Sequence, residues 1–130
     1  MAADPSLPEG VRSLLRALEA PANQPFACEL WTTDAASLLG RILVPVLVII
    51  GKKDIPVDWQ VDGESLQRAA TGRTNVTFVF PENANHVLKY EPKPRAELNA
   101  ADVMQRYNAA GASLDPGSIA VIQEWLLNHA

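Results

Sequence analysis

Residues 44–54 read VPVLVIIGKKD, and the fold turns on them. Val44 to Ile50 is a continuous run dominated by β-branched residues with no polar alternation, the pattern of a strand covered on both faces in a parallel sheet. Pro45 belongs at the start of that strand, where a missing backbone donor is tolerated. The run stops at Gly51, and Asp54 lies just beyond. A second run, NVTFVFPENANH over residues 75–86, predicts a strand from about Asn75 through Phe80, closed by Pro81, with His86 after it. Between the two, WQVDGESLQRAATGR carries Val61, Leu66, Ala69 and Ala70 on or near one face and ends at Gly72, which predicts a helix over about 60–70. Strand, helix, strand within about 35 residues is a βαβ unit, so strands 44–50 and 75–80 are expected to be parallel.

Outward from this unit the pattern is helical. In PEGVRSLLRALEAP, Val11, Leu14, Leu15 and Leu18 recur at helical spacing between Pro8 and Pro21, predicting a helix over 9–19. ANQPFACELWTTDAASLLGRI has weak period and reads as a connector with one short helix over 34–40, from a possible N-cap at Asp34 to Gly40. Beyond His86, Pro92 and Pro94 argue for an extended loop, followed by a helix around 96–110. The chain closes with DPGSIAVIQEWLLNHA. Here Asp115 caps, Pro116 takes the first helical position, and Ile119, Ile122, Trp125 and Leu126 form the apolar face of a helix over 116–128. The expected class is α/β.

Composition bounds what such a chain does. Its 130 residues, 48% hydrophobic and 20% charged, suit one domain that buries roughly two thirds of its unfolded surface. A net charge of −4, with Arg41, Lys52, Lys53, Arg68, Arg73, Lys89, Lys93 and Arg95 scattered among carboxylates, leaves no basic face and argues against nucleic acid. Cys28 is the only cysteine, so no intrachain disulfide forms and no cysteine–histidine spacing suggests zinc; it reads as a small buried hydrophobe. MAADPSLPEG lacks the charged start and apolar core of a signal peptide, and the longest apolar run, 42–50, is about half the length a bilayer-crossing helix needs. A cytoplasmic location, no membrane, no cofactor and no metal are expected. Asp58, Asp62 and Glu64 could hold a cation but fit better the solvated start of a helix, where the dipole favours acidic groups. Asn75-Val76-Thr77 matches a glycosylation sequon yet enters a buried strand. Trp31, Trp59 and Trp125 fit gap-filling and site-lining equally well.

The chemistry gathers at the strand ends. In open parallel sheets, catalytic groups collect beyond the carboxyl ends of the strands, which is where Asp54 and His86 fall. Adjacent strands lie about 4.8 Å apart, so short loops can bring the carboxylate to a ring nitrogen. That bond would fix the tautomer, stabilise the imidazolium and leave the other nitrogen as a general base. Each residue also has a plain structural use, Gly51 and Asp54 as a turn and N-cap, His86 as a solvated loop histidine.

VPVLVIIGKKDIPVD, then ESLQRAA, a second strand and PENANHVLK, resembles the C-terminal half of an α/β-hydrolase of the serine esterase or lipase-like kind. The resemblance spans roughly residues 20–130; the terminal helix is similar to the family's last sheet-covering helix, and ANQPFACELWTTDAASLLGRI to the linker from cap to core. It implies one truncated domain over 1–130, with an N-terminal helix and cap-to-core connector in 1–43 and core in 44–130. It also implies that Asp54 and His86 are the acid and base of a Ser-His-Asp triad for ester or acyl hydrolysis. The nucleophile is absent: no G-x-S-x-G occurs, and Ser6, Ser13, Ser37, Ser65, Ser113 and Ser118 lie off any strand-to-helix turn. Two classes stay open. One is an enzyme remnant, incompetent alone, whose serine comes from a complementing N-terminal half or from residues truncated away. The other is a non-catalytic binding or assembly module, expected to form a homo-oligomer, a two-fold dimer, through an exposed sheet edge or its helix faces.

Overall fold

The computed structural model describes residues 5–7 and 9–129. The described chain divides into two compact units, one reaching Ala35 and one starting at Ala36. In the first unit, α1 (Glu9–Glu19) leads through a short 3-10 turn at Pro21–Asn23 into α2 (Gln24–Thr32). The α1 helix matches the predicted range; Pro8, expected to flank it, lies outside the described residues. The α2 helix corrects the connector expected there. Its proline sits in the first turn, where an N–H would have no helical partner anyway, so Pro25 starts the helix instead of breaking it. Two helices alone bury little: α1 has no buried residue and α2 only Ala27. Cys28 on α2 is exposed among the described residues, not buried as expected.

The second unit is α/β. After α3 (Ala35–Leu39) come β1 (Val46–Ile49), α4 (Val61–Ala69) and β2 (Val76–Val79), then a 3-10 turn at Arg95–Glu97, α5 (Ala100–Arg106) and α6 (Pro116–His129). The strands are parallel, with Val46 opposite Val76 and Ile49 opposite Val79, as the βαβ pattern predicts. Pro45 stands immediately before β1, and Gly72 adopts φ +78° after α4, a turn open to glycine and strained for other residues.

Opposite faces of the sheet meet different helices. A Cβ built on Gly63 of α4 would come within 2.9 Å of the Phe80 ring, while Leu47, Thr77 and Val79 line a cleft with Val121 and Trp125 of α6. With two strands and one helix per face, the four residues of β1 are only half-buried, which corrects the expectation of a fully covered strand. Full burial begins at Ile50 and Gly51. The predicted helix over 96–110 is also shortened to α5, which begins only at Ala100 and has given way to turns by Asn108, with Gly111 at φ +84°.

Asn75 has a structural use that its sequon hid. Its side-chain amide donates to the carbonyls of Ile42 and Val44 at 3.1 and 2.7 Å, and Arg73 donates to those of Gly40 and Ile42. Together they tie the entry to β1 against the entry to β2. No helix among the described residues is long and apolar enough to cross a membrane.

Candidate functional site

The turn after β1 and the loop after β2 are locked together by backbone hydrogen bonds. Lys52 N–H donates to Pro81 at 2.9 Å, Lys53 N–H to Ala84 at 3.1 Å, and Asp54 N–H closes the turn onto Gly51 at 3.0 Å. The approach requires glycine, since a Cβ on Gly51 would stand 2.0 Å from the Ala84 carbonyl oxygen. This contact is what carries Asp54 to His86 across 32 residues of sequence.

His86 rides on a tight loop built by Asn85. The buried Asn85 side chain accepts from the N–H groups of Val87 and Lys89 at 3.1 and 3.0 Å, and its backbone pairs with Lys89 and Leu88. Leu88 is held at φ +56°, a left-handed conformation that leucine seldom adopts. The loop is anchored on its far side: Asp115 N–H donates to Leu88, Tyr90 N–H to Ser113, and Lys53 Nζ to the Glu91 carbonyl at 2.6 Å. Asp115 in turn caps α6, accepting from the N–H and hydroxyl of Ser118 at 2.8 and 2.9 Å.

The loops deliver the predicted pair. His86 Nδ1 lies 3.0 Å from Asp54 Oδ2, and Asp54 Oδ1 accepts the Val57 N–H at 2.9 Å. The carboxylate is buried, while the imidazole keeps 42% of its side-chain surface in solvent. An ionised carboxylate only accepts, so the bond places a proton on Nδ1 and leaves the Nε2 lone pair open. That nitrogen makes no hydrogen bond among the described residues. The arrangement can therefore orient an imidazole, withdraw a proton through Nε2 and stabilise the resulting cation.

The other sequence candidates fall elsewhere. Asp58 accepts from Gln60 and Val61 N–H at the start of α4 and meets Arg95 at 3.1 Å; those amides, then the guanidinium, hold its carboxyl below the ordinary 3.8. Asp62 accepts from the Asp58 N–H, and Glu64 pairs with Arg68, so the acidic cluster is engaged in capping and surface pairing. Among the described residues no group of three or more potential ligands could hold a metal. Ser37 and Ser118 hydroxyls serve Arg41 and Asp115, and no described serine bonds to His86. Trp59 packs on Phe80 and under Lys52, Trp125 stacks on His129, and Trp31 is exposed.

One residue near the pair had no signal in the sequence. Tyr107, just past α5, pairs with the His86 ring, with ring centroids 6.3 Å apart and planes at 29°. Its hydroxyl is buried without a hydrogen-bond partner, and burial, with the Asp54 charge second, raises its pKa above the usual 10.0.

A scan against protein-family models and searches among curated proteins and solved structures give no match.

Proposed function

We propose that the chain is an α/β-hydrolase-like remnant that keeps the acid and base of a Ser-His-Asp triad, Asp54 and His86, and is not competent for ester or acyl hydrolysis by itself. The single observation that carries this reading is the 3.0 Å contact between Nδ1 of a partly exposed His86 and a buried Asp54 carboxylate. A carboxylate behind an imidazole with a free second nitrogen is the supporting two thirds of an acyl-transfer triad. The nucleophile and the oxyanion donors would come from outside these 130 residues. Each absent oxyanion donor forfeits about a hundredfold or more in rate, so the isolated chain is expected to be slow.

The test is hydrolysis of an activated short-chain ester by the parent and by His86→Ala. Equal background rates are expected; a clear loss in the variant would mean that the chain carries out catalysis unaided and would overturn the incompetence claim.

A second reading, an assembly module that pairs with copies of itself, draws on a different observation. Among the described residues the sheet has two strands, each with one edge lacking a strand partner, and Leu43 and Val44, at the entry to β1, are 85% and 64% exposed. An apolar approach to an open strand edge favours pairing with another chain. A complementing hydrolase half would use the same edge.

A further inference from the structure

We propose that Tyr107 is a positioning residue for the Asp54–His86 pair, its ring holding the imidazole in the orientation that keeps Nδ1 on the carboxylate. The inference rests on the acid–base reading of that pair and adds a third member to it.

Three observations converge on Tyr107. First, its ring lies against the imidazole at a separation and tilt within the range of favourable aromatic pairing. An imidazole 42% exposed, tethered by one hydrogen bond, would otherwise rotate about its side-chain torsions, so a flat surface on one side removes much of that freedom. Second, the placement of Tyr107 is enforced from the loop that carries His86. Lys89 Nζ donates to the Tyr107 carbonyl, and Arg106 meets the buried Glu91 carboxylate at 3.2 Å. Both clamps join the end of α5 to residues three and five positions past His86, so ring and imidazole move as one body. Val103, one turn earlier on α5, is almost wholly buried and fixes the helix below the clamps. Third, the hydroxyl is buried and unpartnered. A buried polar atom without a partner is unfavourable, so the ring is held where it is by its packing and not by its hydroxyl.

Tyr107 acts through His86 and touches no reacting atom in this account. Its role predicts that a flat ring suffices and a hydroxyl does not matter. The experiment is imidazole nitrogen NMR on the full chain, reading the tautomer of His86 and the solvent-exchange rate of its Nδ1 proton. It compares the parent, Tyr107→Phe, Tyr107→Leu, Tyr107→Ala and Asp54→Asn, with backbone amide spectra to verify folding. Tyr107→Phe is expected to keep the parent exchange rate. Tyr107→Leu, which fills space without a planar face, and Tyr107→Ala are expected to exchange about tenfold faster, the ratio that follows from losing an aromatic pairing. Parent-like exchange in folded Tyr107→Leu, alongside an altered Asp54→Asn, would overturn the role of Tyr107 and leave the pair standing. An unaltered Asp54→Asn would overturn both.

Discussion

Asp54 and Asp58, five and nine residues past the end of β1, show how differently two nearby carboxylates are used. Asp54 is buried and turned to a histidine; Asp58 is half-exposed, pairs with Arg95 and caps α4. Because the folded protein lowers the Asp58 pKa below 3.8, its contribution to stability is present above that value and is lost as pH falls through the folded one. Asp58→Asn keeps a capping oxygen and removes the charge. The variant is expected to be less stable than the parent in neutral urea titrations, and the gap is expected to close as the pH drops below 3.8. An equal gap at all pH values would assign the effect to something other than the charge. At this scale the sequence exposed Asp54 and His86 because each follows an apolar run, a rule that needs no knowledge of contacts. Tyr107, Asn85 and Glu91 were illegible. Tyr107 meets His86 from a turn beyond a helix, and a lone tyrosine there has no pattern to betray it.

The strand-ending turn is the element on which the pair depends. Gly51→Ala would drive a methyl group into the Ala84 carbonyl, and the backbone bonds on either side leave the two segments little room to part. The substitution is expected to destabilise by about 3 kcal/mol in chemical denaturation, and any folded fraction should lose the His86 Nδ1 contact. A variant as stable as the parent would mean that the loop yields more easily than its hydrogen bonds imply. The elements with strong period and a marked start were legible, namely α1, α4, α6 and both strands. Pro116 opens α6 where the sequence places it, and the bounds of β1 and β2 differ from expectation only at their ends. The α2 helix was hidden because its turn formers, Asn23 and Pro25, belong to a 3-10 turn and a helical first turn, and look identical to a loop when read along the chain. The 96–110 helix was overdrawn because alanines carry helix propensity but no stop signal, whereas the chain turns soon after Arg106.

At the scale of the whole molecule, a two-stranded parallel sheet is a small platform, and exposed apolar residues remain around it. Leu43 and Val44 at its edge, like Leu14, Phe26, Leu30 and Trp31 in the first unit, are left without cover among the described residues. The parent is expected to run as a dimer in light scattering at micromolar concentration, and Val44→Lys, which charges the approach to the open edge, to shift it toward monomer. A monodisperse monomeric parent would remove the association reading. The central claim, however, concerns the pair that the platform holds. Its most direct test is the nitrogen NMR tautomer of neutral His86 in the parent and in Asp54→Asn. The account predicts the proton on Nδ1 and a bare Nε2 in the parent, with that preference lost in the variant; one tautomer population shared by both proteins would contradict it.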